Sequence, residues 1–263
     1  MPKRTLSELS NSRRRKVKPA AQLPPDALAL QFSYEAQRIM QRVMMRFARE
    51  AMTLAGIRQD AFVGLGASWG ELFIKYGEIL LKEFGPLFAR MLVGVDHFNK
   101  DQFDTMFKRV VNIPFTDKPA IAQKLDSLRQ KNIDLAKKLA GDSMQRVKEI
   151  LDDNSGEHAN TLAKRIEQAV GTTASHARLL ARDQTLKLNA DLTKHRQTAA
   201  GITRYEWSTS NDDRVRPMHR ALDGQEFDWA HPPVVSSDGR REPPGLDYQC
   251  RCVAVPVIDL DAL

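Results

Sequence analysis

The chain changes its hydrophobic period once, and that change limits the folds open to it. From Leu28 to Leu192 apolar residues return at three- and four-residue steps. After Gly201 the step shortens to two, and prolines and glycines crowd in. The first pattern builds amphipathic helices, and the second builds short strands joined by turns. The expected fold is α+β and mainly α. A long N-terminal helical body is followed by a small C-terminal α+β module with a few short strands.

Leu28, Phe32, Ala36, Ile39, Val43, Phe47, Ala51 and Leu54 make one face of a helix that Gly56 stops. Gly64, Gly66 and Gly70 separate it from a second helix carrying Leu72, Phe73, Tyr76, Leu80, Phe84, Phe88 and Leu92. The run from Trp69 to Val95 is the most apolar in the chain. Glu71, Lys75, Glu78, Lys82, Glu83 and Arg90 interrupt it, so it reads as a protein-packed helix and not a membrane span. Thr116-Asp117-Lys118-Pro119 has the form of a helix start, and Asn154 with Glu157 that of a capping box. Gly171 is expected to end one helix, with Thr172 or Thr173 capping the last. Beyond Gly201, residues 202–207 alternate as a strand and Val215–Leu222 form a short helix closed by Asp223-Gly224. Residues 228–248 form a long loop, and Cys252–Val257 a final strand that Pro256 places at a sheet edge. The expected divisions are a disordered basic arm over 1–25, helical regions over 26–113 and 114–200, and the module over 201–263.

Charge is concentrated at one end. The first 18 residues hold Lys3, Arg4, Arg13, Arg14, Arg15, Lys16 and Lys18 against Glu8, and so carry six of the seven net positive charges. The basic character describes this arm and not the remaining surface. Arg13, Arg14, Arg15, Lys16 and Lys18 are the candidate nucleic-acid contacts, neutralising phosphates without reading sequence. A solubilising or partner-docking arm is the alternative. The two cysteines cannot set up a disulfide framework, and no apolar segment follows the N-terminus as a secretion signal would. A folded protein of a reducing cytosol is expected.

The C-terminal third carries the specific signal: Ala181-Arg182-Asp183-Gln184, Trp207-Ser208-Thr209-Ser210, Asp212-Asp213-Arg214-Val215-Arg216-Pro217-Met218-His219, Leu222-Asp223-Gly224, Pro243-Pro244-Gly245 and Cys250-Arg251-Cys252, in that order. This ordered set resembles the phage Mu protein F-like family of head morphogenesis proteins, also called minor capsid or minor head proteins. The likeness runs from about Phe103 to Val257 and is sharp from Ala181 onward. It implies a virion protein of the phage head, assembled in the host cytoplasm and present at low copy. Its implied partners are the portal protein or major capsid protein, as an oligomer on the portal ring, with a role in DNA packaging or ejection. Double-stranded DNA would be met through the basic arm. The resemblance implies no enzyme. Two alternatives are a phage-delivered protein ejected with the genome and a metal-dependent DNA-processing enzyme.

The motif residues also have physical roles of their own. Asp212 is placed to cap the short helix and to pair with Arg214 or Arg216; the alternative is that these arginines grip phosphate. Asp183 and Gln184 are placed to dock the motif loop, and Trp207 to plug the core between helix and strand. Gly224 and Gly245 serve turns that a Cβ would oppose. His219, Cys250 and Cys252 raise the question of zinc, with His231 or Asp212 as a fourth ligand. Some relatives are implied to carry cysteines where this chain has Arg216 and His219, which is a departure. Spacing argues against a metal as well, because side chains two apart on an extended strand lie about 6–7 Å from each other. The cysteines then read as small buried hydrophobes, with His219 hydrogen-bonded inside the module and no cofactor. The chain has no Gly-rich phosphate loop and no H-E-x-x-H, so catalysis is not expected.

Overall fold

A computed structural model describes residues 16–57, 68–112, 115, 120–153 and 159–259. Arg13, Arg14, Arg15, Gly64, Gly66, the helix start at 116–119 and the capping box of Asn154 and Glu157 lie outside them. In chain order the elements are β1 (Lys16–Val17), α1 (Asp26–Leu54), α2 (Trp69–Val111), α3 (Ala120–Asp152), α4 (Ala159–Ala199), β2 (Arg204–Ser208), α5 (Pro217–Ala221), β3 (Glu226–Asp228) and β4 (Val253–Asp259). The fold is mainly α, with a small antiparallel sheet at the C-terminal end, as the change of period predicts.

The chain packs as two units, each drawn from separated stretches of sequence. One comprises Asp26–Val95 and Ala122–Thr185, the other Met1–Pro25, Asp96–Ile121 and Leu186–Leu263. The linear blocks 26–113, 114–200 and 201–263 therefore do not map one-to-one onto them.

The first unit is a helical bundle. Arg42 pairs with Glu83 and Lys75 with Glu50, which sets α1 antiparallel to α2. The predicted face of α1 is the buried one, from Phe32 through Ile39, Val43 and Phe47 to Ala51. Phe47 meets the rings of Phe73 and Tyr76, so the aromatic residues of α2 pack inside this unit. Ser68 and Glu71 close the start of α2 reciprocally, Ser68 N–H donating to the Glu71 carboxylate at 2.8 Å and Glu71 N–H to Ser68 Oγ at 3.2 Å. Helix α4 corrects the sequence reading, because it passes Gly171 without a break. Thr172 and Thr173 do not cap a new helix. Their hydroxyls donate back to the carbonyls of Gln168 and Ala169, and the Thr173 hydroxyl also meets that of Ser143 at 2.8 Å. A helical glycine costs about 1 kcal/mol, which burial of Val170, Ala174 and Ala177 outweighs.

The second unit carries the sheet, in strand order β1-β4-β2-β3. Residues 16–25 are therefore not a free arm. Lys16 and Val17 pair with Asp259 and Ile258, and Lys18 bridges Glu206 at 2.6 Å and Glu226 at 2.7 Å. Strand β4 lies between β1 and β2 and is not an edge strand. The proline is tolerated because β1 reaches only Ile258 and Asp259, leaving β4 paired on one side at Pro256. Under the sheet, Phe103, Met106, Phe107, Ile202 and Ile258 form one apolar cluster. A second cluster gathers Tyr205, Trp207, Trp229, Val235, Cys250, Cys252 and Ala254, and seats Trp207 as the predicted core plug.

Arg196 is completely buried in this unit. It donates to Asn99 Oδ1 and Asp96 Oδ1, both at 2.6 Å, while Asn99 Nδ2 donates to Thr193 Oγ1 at 2.8 Å. The far end of α2 is thereby tied to the end of α4 by a charge-assisted network.

Candidate functional site

The motif residues of the module converge on His219. Helix α5 starts at Pro217, whose fixed φ suits a first turn, and presents His219 to the second apolar cluster. Loop 228–248 returns beneath it. The segment after Gln249, which has φ +52°, then turns inward, so that Cys250 closes a turn with its N–H on the Asp247 carbonyl at 3.2 Å. Cys252 stands just before β4 begins at Val253. The extended geometry assumed for Cys250-Arg251-Cys252 is thus overturned, and with it the spacing objection to a metal. Donor atoms of His219, Cys250 and Cys252 all lie within 4.8 Å of one another. Cys250 Sγ is 3.5 Å and Cys252 Sγ 3.7 Å from His219 Nδ1.

The other ring nitrogen of His219 faces Asp247, with Nε2 at 3.2 Å from Oδ2, within ion-pair distance but without hydrogen-bond geometry. Asp247 is the hub of the loop. It accepts the Tyr248 N–H at 2.8 Å and pairs with Arg216 at 3.1 Å and Arg240 at 2.9 Å. Burial works against its charge, but that N–H and the two guanidinium groups prevail and hold its carboxyl below the usual range. The hydrogen bond with Cys250 lifts the His219 imidazole above its ordinary value, against the effect of burial. The Cys252 side chain and His219 hold the Cys250 thiol well below its usual range, while the bond to Cys250 and burial push Cys252 up.

Around this centre the expected roles divide. Arg216 pairs with Asp247 and donates to the Tyr248 carbonyl at 2.6 Å. Asp212 does not cap α5, whose N-cap is Arg216 with no side-chain cap. Instead it accepts the Arg214 N–H at 3.1 Å and pairs with Arg214 and Arg251, the Arg251 bond holding its carboxyl below the usual range. Neither Asp212 nor His231 joins the thiol cluster; His231 bridges to Asp228 in the loop. Gly224 and Gly245 both have positive φ, +73° and +88°. Asp183 and Gln184 are buried on α4 in the helical unit, 3.4 Å apart through Gln184 Nε2 and Asp183 Oδ2, while the motif loop belongs to the other unit. Lys18 is engaged by its two glutamates and Lys16 is exposed on β1. Sequence reasoning missed Asp247, although it stands inside Pro243-Pro244-Gly245-Leu246-Asp247, and missed Arg196, for which helical periodicity gives no signal.

Residues 149–255 match the family described as Phage Mu protein F like protein. Over these residues the chain is similar to the phage Mu protein F-like family. The Mu F-like segment takes in the end of α3, all of α4 and the module with its His219 cluster. The chain is also 38% identical over 143 residues to an uncharacterized protein of Haemophilus influenzae, covering 54% of this chain and 31% of that one. It thus spans about a third of that relative's length. No solved structure matches the chain.

A thiol, an imidazole and a carboxylate in sequence are also the parts of a nucleophilic centre. Access argues against that use here. His219, Cys250 and Cys252 are 2%, 4% and 5% exposed, and the cavity bordering both cysteines measures about 10 Å³. That is the space of one water. Among the described residues no helix is long and apolar enough to cross a membrane.

Proposed function

We propose that this chain is a minor head protein of a bacteriophage, taking part in head assembly at the portal vertex. The observation that carries the reading is the Mu F-like segment, whose polar motif residues are spent on one another inside a buried hub. A surface held in one shape suits docking more than turnover. The partner is the portal protein or the major capsid protein, and the location is the virion.

The basic N-terminal residues support a second contact, with double-stranded DNA, because they hold six of the seven net charges within 18 residues. Arg13, Arg14, Arg15 and Lys16 carry that contact; Lys18 is committed to Glu206 and Glu226. Packaging or ejection would then bring DNA past the arm.

Quantitative mass spectrometry of purified virions beside empty procapsids tests the reading. The chain is expected in both, at a fixed ratio to portal protein. Its absence from both particles would exclude a head role. Presence in procapsids with loss after DNA release would identify the ejected-protein alternative instead.

A further inference from the structure

We propose that His219, Cys250 and Cys252 form a zinc site that pins the C-terminal module. Zinc bonds of about 2.3 Å to sulfur and about 2.0 Å to nitrogen, at the tetrahedral angle, set sulfur and nitrogen about 3.6 Å apart. His219 Nδ1 stands 3.5 Å from Cys250 Sγ and 3.7 Å from Cys252 Sγ. The three donor atoms lie within 4.8 Å of one another, and all three side chains are buried.

Hydrogen bonding alone accounts poorly for this arrangement. A neutral imidazole nitrogen has a single lone pair or a single proton to offer, yet Nδ1 faces two sulfurs at nearly equal range. A metal ion between the three atoms satisfies all of them together. The surroundings fit as well. Cys250 Sγ accepts the Cys252 N–H at 3.4 Å, which steadies a bound thiolate. Asp247, pinned by Arg216 and Arg240, stands 3.2 Å from Nε2, and its negative charge favours the proton on that nitrogen, leaving Nδ1 to face the metal. Two thiolates, a neutral imidazole and a divalent cation sum to no net charge, which suits a buried place beside Trp207 and Ala254. The fourth position goes to a water, for which the cavity of about 10 Å³ bordering both cysteines has room. Binding releases the thiol protons and joins α5 to the strand entry across 31 and 33 residues of chain.

The experiment uses the full chain, purified reduced from zinc-supplemented medium, with metal content measured by elemental mass spectrometry. About one zinc per chain is expected, and replacement by cobalt(II) should give thiolate-to-cobalt charge-transfer absorption. Cys250→Ser and Cys252→Ser should lose the metal, and Asp247→Asn should keep it with affinity lowered about 10–100-fold. The cobalt spectrum of the unmutated chain needs no variant, so misfolding of a variant does not blur the result. Zinc well below one per chain together with no charge-transfer band overturns the site, as does a Cys250–Cys252 disulfide in protein kept reduced.

Discussion

Gly245→Ala isolates the closest approach in the module, and its cost can be worked from two separate effects. Gly245 has φ +88°, where an L-residue pays about 1–2 kcal/mol. A Cβ built there would stand 2.7 Å from Ala190 Cβ on α4 and 3.2 Å from the Cys252 carbonyl oxygen. Neither neighbour is the free end of a flexible side chain, so backbone must move, and overpacking of this kind costs about 1–3 kcal/mol. The expected loss is about 2–5 kcal/mol in all. Gly224→Ala is the matched control. Its φ is +73°, but nothing lies within 4 Å of the added methyl, so it should lose only the backbone cost of about 1–2 kcal/mol. Urea unfolding followed by tryptophan fluorescence reads the module, because Trp207 and Trp229 are both buried in its second cluster. Ala190→Gly removes the facing methyl, and although it weakens α4 by about 1 kcal/mol alone, it should partly rescue Gly245→Ala. Equal midpoints for Gly245→Ala and Gly224→Ala, or strict additivity with Ala190→Gly, would refute the close-packing argument.

Arg196→Ala should destabilise the chain by about 3–5 kcal/mol, since it strands Asn99 and Asp96 without their buried cation; a loss under about 1 kcal/mol in thermal unfolding would mean the network contributes little. Glu226 offers the pH prediction. Lys18 pulls its carboxyl below the ordinary value, so the stability it contributes is present above the unfolded value near 4.3 and is lost as pH falls through the lower folded value. Carboxyl NMR titration should show Glu226 titrating low in the native chain and returning towards the ordinary range in Lys18→Met; an unchanged midpoint would mean that Lys18 does not hold the Glu226 carboxylate.

The helices were legible because burial and periodicity carry the same information. The face from Phe32 to Ala51 is the buried face of α1, and the change of period at Gly201 is where the sheet begins. Errors arose where a local signal met a longer-range one. Gly171 and the two threonines look like a helix end, yet Thr173 finds Ser143 thirty residues away and the helix continues. Pro256 looks like an edge marker, but the two-residue strand that makes β4 internal comes from the far end of the sequence. Composition marks a basic arm but carries no sign that Lys18 pairs with Glu206 and Glu226. At the site the residue types were legible and their convergence was not. Nothing in the sequence marks Cys250-Arg251-Cys252 as bent enough to bring its two sulfurs and His219 within 4.8 Å of one another.

Loop 228–248 shows why the polar motif residues serve shape. It has almost no ladder hydrogen bonds beyond two isolated bridges, Asp228 with His231 and Val234 with Arg241. Ordering each of its residues costs about 1–2 kcal/mol of backbone entropy. Burial of Trp229 and Val235 returns part of that. The remainder falls to few side chains, and Asp247 is engaged by Arg216, Arg240, His219 and the Tyr248 N–H together. Charge-assisted bonds of this kind contribute about 1.5–3 kcal/mol each, against about 1 for a neutral one. An acidic residue committed to two guanidinium groups and a backbone N–H is a poor general base, since freeing it would release the loop. The same commitment gives the loop one conformation in place of many, and a partner that binds it pays little ordering entropy. In the head protein proposed above, that economy would favour assembly, and it fits a polar loop built around the buried Asp247 carboxylate.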